Sequence, residues 1–463
     1  MQCDLLLSGG RVVTVDGPRS VYEPGSVAII GNRIAAVGPA AETDATWQAA
    51  RTVDCRGRAV VPGFVDGHTH LFQALARGLG EGLSIWPWLC EFMWPYSIAV
   101  DPEDARVAAT LGAVEALRSG ITTVIDNHYA PTDPETVLAV ARAVESTGLR
   151  GAVARGMIGH RTAVAAARGL PDALFRYSVD EEIELTRACM ERRPPHSMVE
   201  IWPAPLNLSY VDQDLVRGAA ELATEFGTRW HTHCSEGAKD PESYLEAYGV
   251  RPVQWLAQEG LLDERTTLAH AVWLDEAEIK HIGERRAGVS HNPASNAYLA
   301  SGVMRLRELR DAGAVVALGT DGPSAGHRQD MFEVMKQTLF GQRQHTLDPA
   351  AARCEEALEL ATREGGRYAG TGTGHLSVGA PADIAVVALD RPHLRPLHRT
   401  VAALVYSARG SDVEMTVVDG RVVYEDGRCV LVDEEALLAE AQERAERLVE
   451  RAGFGALTTA WRH

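Results

Sequence analysis

Lysine is scarce in this chain. Of its 45 basic residues only three are lysines, at positions 239, 280 and 336, so arginine carries nearly all the positive charge. Acidic residues outnumber basic ones, and the formal net charge is -18 at pH 7. A strongly acidic balance opposes binding to polyanions, so we expect no nucleic-acid partner.

Paired cysteines and long apolar runs are also missing. The seven cysteines are scattered, and no two of them form a CxxC pair. Such a set is typical of reduced thiols in a cytoplasmic protein. No uncharged apolar run reaches about 18 residues, and the N-terminus lacks a basic start followed by an apolar stretch. We therefore predict neither a membrane span nor a signal peptide.

Both ends of the chain alternate like short β-strands. Runs such as LLLSGGRVVTV and SVAIIGNRIAAVG near the start are matched by ADIAVVAL and EMTVVDGRVVYEDGRCV near the end, with glycine-rich turns between them. This pattern is typical of a small antiparallel β unit. We predict a β-sandwich domain built from residues 1–57 and 372–463, with an amphipathic helix closing the second part.

Between residues 58 and 371 the pattern changes to strands alternating with helices. Eight strand–helix units in about 300 residues predict a (β/α)₈ TIM barrel. Polar residues that end the strands of such a barrel line its active-site face. The predicted strand ends supply His68 and His70, Asn127 and His128, Arg155, Asn207, His233, His270, His291 and Asp321.

Histidines and one aspartate among these ends have the character of metal ligands. His68 and His70 are two residues apart on one strand, so both imidazoles can face the barrel axis. An HxH pair alone is a weak signal and more often represents two solvated histidines after a turn, but His233 and Asp321 each end a strand of their own. Three imidazoles and a carboxylate suit Zn²⁺ or Fe²⁺ and leave a position open.

Several motifs occur together in order: PGFVDGHTH, HTHCSE, TLAHAVWL, VSHNPASN, LGTDG and SVGAPADIAVV. In these motifs the chain resembles the amidohydrolase superfamily. The branch it resembles contains the cytosine, guanine and S-adenosylhomocysteine deaminases and the triazine hydrolases (chlorohydrolases). The resemblance implies that His68, His70, His233 and Asp321 bind the metal. Its His-x-x-Glu pattern selects His233 over His231, which we take as structural.

The resemblance also bears on the number of metal ions. Dinuclear members bridge two metals through a carbamylated lysine at the end of strand four, and the corresponding segment here, MVEIWPAPLN, has no lysine. We therefore expect one divalent ion per chain, Zn²⁺ first and Fe²⁺ as the alternative.

Three residues are expected to carry the acid–base chemistry. By resemblance Glu236 protonates the substrate ring, Asp321 moves a proton from water to the leaving group, and His270 orients the water. The alternatives are a surface carboxylate for Glu236 and a buried strand-end imidazole for His270.

Substrate contacts are less determined by the sequence. The Trp-rich segment WPWLCEFMWP could stack a flat ring or pack a loop, Arg155 could bind substrate or form a structural salt bridge, and His291 could serve the pocket or its loop. The residues predicted to bind substrate are Gln73, Trp88, Asn127, His128, Arg155, His291 and His327.

The expected reaction is hydrolytic deamination of a neutral or weakly charged nitrogen heterocycle, of purine, pyrimidine, pterin or triazine type, to the oxo product and ammonia. Adenosine-type relatives carry a HAPYT-like segment and a Ser-Asn-Asn stretch where this chain has WPAPLNLSY and TDGPSAGHRQDMF. We therefore do not expect their thiomethyladenosine or S-adenosylhomocysteine substrate. The alternatives are dechlorination or dealkylamination of a triazine, cyclic amide hydrolysis, and a non-catalytic binding homologue.

A homo-oligomer, dimer or higher, is expected.

Overall fold

The computed structural model describes residues 1–458, so the last five residues of the predicted C-terminal segment, 459–463, lie outside the described residues. The strands are β1 (Gln2–Val13), β2 (Val21–Ile30), β3 (Arg33–Pro39), β4 (Gln48–Asp54), β5 (Arg58–Pro62), β6 (Phe64–Thr69), β7 (Ile121–His128), β8 (Arg150–Met157), β9 (Val199–Pro205), β10 (Trp230–Cys234), β11 (Thr266–His270), β12 (Gly288–His291), β13 (Val315–Leu318), β14 (Ile384–Ala388), β15 (Val413–Val418), β16 (Arg421–Glu425) and β17 (Arg428–Cys429).

The α-helices lie mostly between the strands of the middle region. They are α1 (Ala40–Thr46), α2 (Ile85–Pro87), α3 (Trp94–Ala99), α4 (Pro102–Arg118), α5 (Pro134–Ser146), α6 (Ala163–Ala167), α7 (Val179–Arg192), α8 (Gln213–Phe226), α9 (Lys239–Tyr248), α10 (Pro252–Gln258), α11 (Glu276–Arg285), α12 (Pro293–Tyr298), α13 (Leu306–Ala312), α14 (Met331–Thr346), α15 (Cys354–Ala361), α16 (Arg363–Ala369), α17 (Thr400–Tyr406) and α18 (Glu434–Arg451). Among the described residues, no helix is both long and apolar enough to cross a membrane.

Eight parallel strands form the barrel in two halves. Strands β6 to β9 make one four-stranded sheet and β10 to β13 the other. At one seam the backbone N–H of Leu208 donates to the carbonyl of His233 (3.1 Å), and at the other the N–H of Asp321 donates to the carbonyl of His68 (2.9 Å). The predicted (β/α)₈ architecture is confirmed. Within residues 1–458 the first seam also has the N–H of His233 donating to the carbonyl of Leu206 (3.3 Å), so it carries two backbone hydrogen bonds, the second seam carries one, and neither forms a continuous ladder.

The barrel strands are buried on both faces, which explains their composition. Every residue of β6 (FVDGHT) and β7 (ITTVIDNH) is buried, because helices cover the outside and side chains fill the inside. Helix α4 is started by Asp101, which accepts hydrogen bonds from the N–H groups of Glu103 and Asp104, and Pro102 takes the first helical position. Because the barrel strands are parallel, the polar residues at their carboxyl ends lie together at one end of the barrel.

Both ends of the chain form one nine-stranded sheet. Its order is β17-β16-β15-β14-β5-β1-β2-β3. Strand β4 pairs with the first part of β1, from Gln2 to Ser8, and β5 pairs with the later part, at Arg11 and Val12. The two ends meet where β14 pairs antiparallel with β5, while β1 is parallel to β4 and β5. The expected β domain assembled from both ends is therefore present, and the residue boundaries proposed for the three segments remain predictions.

A buried ion pair fastens this sheet to the barrel. Arg150, at the start of β8, donates through Nε to Asp383 (3.1 Å) and through Nη2 to Asp419 (2.8 Å). The Asp383 side chain is fully buried, and its Oδ1 also accepts from the N–H of Asp419. Arg150 is thus held between the barrel and the strands of the C-terminal part.

We expect Asp383→Ala to destabilise the fold by about 3 kcal/mol, because it leaves a largely buried guanidinium without its main partner. Calorimetric and urea unfolding would measure the loss. Asp390→Ala is the matched control, since Asp390 is exposed and 3.8 Å from Arg391, and it should change the free energy of unfolding by less than about 0.5 kcal/mol. Equal effects of the two substitutions would contradict the role given to the pair.

Candidate metal centre

The four predicted ligands converge at the carboxyl ends of the barrel strands. Nε2 of His70 lies 3.4 Å and Nε2 of His68 3.6 Å from Oδ1 of Asp321, and Nε2 of His233 lies 3.2 Å from Nε2 of His70. All four side chains are buried. Ligand atoms of His68, His70 and His233 lie within 4.8 Å of one another, as do those of His68, Asp321 and His270.

The histidines are oriented as metal ligands require. Nδ1 of His70 donates to the carbonyl of Asn127 (2.7 Å) and Nδ1 of His233 to that of Leu206 (2.6 Å), which leaves both Nε2 lone pairs facing the cluster. Nε2 of His68 is buried and has no hydrogen-bond partner. Burial, with the neighbouring imidazoles, holds the pKa of His68 and of His233 well below the usual range, so both are neutral. Neutral imidazoles beside a carboxylate fit a divalent cation.

His231, which the sequence analysis set aside as structural, orients His68. Nδ1 of His68 lies 2.8 Å from Nε2 of His231, and Nδ1 of His231 lies 2.9 Å from the hydroxyl of Thr267. That hydroxyl donates to the carbonyl of Trp230 (2.8 Å), which makes it an acceptor toward His231. The chain therefore places a proton on Nδ1 of His68 and leaves Nε2 free for a metal.

His270 lies between two carboxylates. Its Nε2 is 3.6 Å from Oε2 of Glu236 and 3.7 Å from Oδ2 of Asp321, while its Nδ1 donates to the side-chain oxygen of Asn296 (2.9 Å). Burial acts to lower the pKa of His270, but the two carboxylates outweigh it and the pKa is raised. Burial raises the pKa of Glu236 to about 7, so this carboxyl can hold a proton near neutral pH.

Backbone strain is concentrated at the same strand ends. His270 has a φ of 69°, Asp321 of 59° and Ser235 of 47°, all in the left-handed region that favours glycine. Asp321 is held there by Gln329 and Thr69, whose side chains donate to its carbonyl at 3.3 and 3.1 Å. Such strain is typical of positions where a fixed side-chain direction matters more than local stability.

A cavity opens onto this cluster. Its walls are mainly aromatic and apolar, and none of the residues lining it is a lysine or an arginine. They are His70, Gln73, Ile85, Trp88, Leu89, Trp94, Tyr129, Leu206, Asn207, Tyr210, His233, Glu236, His270, Leu299, Asp321 and Ala325.

Two of the predicted substrate-binding residues, Gln73 and Trp88, line this cavity. The amide of Gln73 is already engaged, since its Nε2 donates to the hydroxyl of Tyr129 (2.9 Å) and its Oε1 accepts from Ser324. Trp88 is buried, and its indole N–H has no hydrogen-bond partner. Sequence patterns gave no signal for Tyr129 and Tyr210, which reach the cavity from loops after the strands.

Arg155 does not reach the cavity. Its side chain is fully buried, and its guanidinium donates to the carboxylate of Glu182 (2.7 Å), the carbonyl of Thr132 (2.8 Å) and the hydroxyl of Thr186 (2.9 Å). The structure favours the salt-bridge alternative for this residue over the substrate-binding one.

Four further candidates also lie away from the cavity walls. Asn127 contributes its backbone carbonyl to His70 and donates its amide to the carbonyl of Ala154. His128 donates to the carbonyl of Pro131 (2.8 Å), and burial lowers its pKa to about 4. His291 is buried at the end of β12, and the half-buried His327 packs its ring against Tyr298. None of them is among the lining residues.

The sequence matches the model of the amidohydrolase family over residues 59–423. The chain belongs to this family. It is a hydrolase acting on carbon–nitrogen bonds, and the family is metal-dependent. The family inferred from the motifs is thereby confirmed.

Relatives and solved structures agree on this assignment. A 5-methylthioadenosine/S-adenosylhomocysteine deaminase of Pelotomaculum thermopropionicum is 34% identical over 97% of this chain and 99% of its own length. One of the same name from Natronomonas pharaonis is 36% identical over the same shares. An adenosine deaminase of Xanthomonas campestris with bound zinc superposes with a TM-score of 0.89 at 30% identity, covering 97% and 99% of the two chains.

We expect His231→Phe to weaken metal binding by about 10–100-fold, because Phe removes the acceptor that fixes the tautomer of His68. Competitive titration of the metal-free protein with Zn²⁺ and a chromophoric chelator would measure this, against a wild type that binds about one ion per chain. His231→Gln offers an acceptor oxygen to His68 and should retain more affinity.

His196→Phe is the control, since His196 is exposed and distant in the chain from every ligand. A wild-type affinity in His231→Phe would contradict the orienting role, and two ions per wild-type chain would contradict the mononuclear site.

Proposed function

We propose that this enzyme hydrolytically deaminates an amino-substituted nitrogen heterocycle, giving the oxo product and ammonia. The observation that carries the proposal is the placement of Glu236, a buried carboxyl with a pKa raised to about 7, on the cavity wall beside His270 and Asp321. A proton donor at this point is what a ring nitrogen needs when water adds to the neighbouring carbon.

His68, His70, His233 and Asp321 are the residues that would hold the divalent ion. When bound there, the ion polarises water so that it becomes nucleophilic near neutral pH. Zn²⁺ is our first choice because the solved adenosine deaminase carries zinc, and Fe²⁺ is the alternative.

Glu236 and Asp321 each carry part of the proton transfers that the reaction needs. Glu236 gives its proton to the ring nitrogen as the water oxygen bonds to the amino-bearing carbon. Asp321 takes a proton from the water and gives it to the amine, so that the carbon–nitrogen bond breaks and ammonia leaves. The hydroxyl proton left on the same carbon returns to Glu236 as the oxo group forms, which restores the proton donor. His270, fixed by Asn296, contacts both carboxylates and holds the water between them.

The cavity favours a neutral, flat substrate. Trp88, Trp94, Tyr129 and Tyr210 supply ring faces for stacking, and the absence of lysine and arginine from the wall removes a partner for phosphate or carboxylate groups. Purines, pyrimidines, pterins and triazines share this character. The deaminase names of the relatives support the amine as leaving group.

A triazine hydrolase is the second candidate. An atrazine chlorohydrolase variant of Arthrobacter aurescens, solved with zinc and atraton, superposes with a TM-score of 0.88 at 27% identity over 95% of this chain and all of its own. The same activated water would displace chloride or an alkylamine from such a ring. We rank it second because of its lower identity.

A screen for ammonia release over aminated purines, pyrimidines, pterins and triazines should find at least one substrate with a kcat/KM of about 10⁴ M⁻¹s⁻¹ or more. The apoenzyme is the control for background release. Release of chloride or alkylamine without ammonia would replace the proposal with its rival.

Glu236→Gln should lower kcat by about 10²–10⁴-fold with metal content unchanged, because Gln keeps the size of the side chain but carries no ionisable proton. His233→Ala should lose metal as well as rate, since it removes a ligand. Kinetics and elemental analysis of both variants separate the two roles. A Glu236→Gln enzyme that keeps more than about a third of kcat would show that Glu236 is not the donor.

Location and assembly remain predictions of this proposal. A cytoplasmic location is supported by the seven cysteines, all of which are free and none of which forms a disulfide in the described chain. Assembly as a homodimer or larger oligomer is expected, and exposed apolar side chains such as Phe340 and Trp273 offer surface for it.

A further inference from the structure

The catalytic cluster lies at the inner end of the cavity. His270 is 1% exposed, and Glu236 and Asp321 are each 5% exposed. A heterocycle reaches these side chains only past the residues of the cavity wall, so the position of that wall affects substrate binding.

One stretch of the wall has the features of a movable cover. Residues 79–93, called here the lid segment, contribute Ile85, Trp88 and Leu89 to the cavity. The chain enters this segment through Gly78, Gly80 and Gly82, whose φ values of 82°, 77° and 86° are left-handed. Alternating glycines in that region are suited to absorb a change of backbone direction.

A single buried carboxylate ties the lid segment to the catalytic strand end. Oδ1 of Asp240 accepts from the indole N–H of Trp86 (3.1 Å), and its Oδ2 accepts from the backbone N–H of Gly237 (2.9 Å). Gly237 directly follows Glu236 in the chain. Asp240 is 2% exposed, so an unpaired oxygen there would be costly.

Two further contacts lie beside this hydrogen bond. The guanidinium of Arg168, from the loop after β8, lies 4.4 Å from the ring centroid of Trp86 and donates to the carbonyl of Lys239 (2.8 Å). Ile85 packs so closely on Gly237 that a Cβ placed there would be 3.2 Å from its Cγ2. Three loops of the barrel rim therefore meet at Asp240 and Trp86.

We propose that Asp240 is a positioning residue that latches the lid segment closed through Trp86 and couples closure to the backbone beside Glu236. Closure sets the wall formed by Trp88 and Leu89 and excludes bulk water from the cavity, apart from the one water that reacts. The inference rests on the proposed function, because it concerns the same cavity. The alternative is that Asp240 serves only to start helix α9, in which case Trp86 has no part in binding.

Trp86→Phe and Asp240→Asn test the latch in the metal-loaded enzyme. Phe removes the N–H and keeps a ring under Arg168, and it leaves the start of α9 untouched. Each variant should raise KM by about tenfold, the lower range for a hydrogen bond to a charged group. In Trp86→Phe, which leaves the charge of Asp240 in place, kcat should stay within about threefold. The double variant should be no worse than the worse single one, since both remove the same bond.

Hydrogen–deuterium exchange gives a readout that needs no substrate. Exchange in peptides covering 79–93 should rise at least about fivefold in both variants, and peptides from α11 should stay at the wild-type rate. Glu242→Gln, which changes an exposed acid on α9, should match the wild type in both measurements.

Unchanged exchange over 79–93 in Trp86→Phe would overturn the inference, and so would faster exchange with an unaltered KM. If the wild-type enzyme deaminates nothing while exchange still rises in both variants, the proposed reaction fails and the latch itself stands. The proposed reaction and the proposed latch can therefore be refuted independently of each other.

Discussion

Asp321 contacts three buried imidazoles, and the charge balance of the site depends on it. Its two oxygens lie 3.4 to 3.7 Å from Nε2 of His70, His68 and His270. A buried carboxylate needs compensation by a cation or by hydrogen bonds. Here the surrounding imidazoles are held in orientations that offer lone pairs, apart from His270, whose raised pKa makes it the natural counter-charge. The site is therefore arranged for a cation next to Asp321, and the left-handed backbone of that residue is held in place by its neighbours.

The same packing that excludes water also prepares the proton donor. Burial is the main cause of the raised pKa of Glu236, and side chains of the lid segment line the same cavity as this carboxyl. Asp240 adds to it, because a second acidic group nearby disfavours the charged form. Asp240, which holds the lid segment, therefore also raises the pKa of the Glu236 carboxyl.

Most of the metal site could be predicted from the sequence, because its signals are local. His68 and His70 share one strand, His233 and Glu236 are three residues apart, and Asp321 follows an apolar strand, so periodicity alone puts each group at a strand end. The eight repeated units then predict that these ends meet. The lack of lysine in the fourth barrel strand is likewise readable without coordinates. These inferences can be made without coordinates because each depends on a few consecutive residues and on one general rule about barrels.

The substrate wall could not be predicted in the same way, because it depends on contacts between distant loops. Arg155 ends a strand as the metal ligands do, yet its guanidinium turns outward to Glu182, 27 residues away, and the sequence offers no means of choosing between the two directions. Trp86 and Asp240 are 154 residues apart, and only the folded chain brings them within a hydrogen bond. A tryptophan in an aromatic-rich segment is more often core than function, so its N–H partner is what distinguishes a positioned lid from a packed loop. The specificity of such a barrel is thus determined by long-range side-chain pairs on loops of little regular structure, whereas its chemistry is determined by the strands.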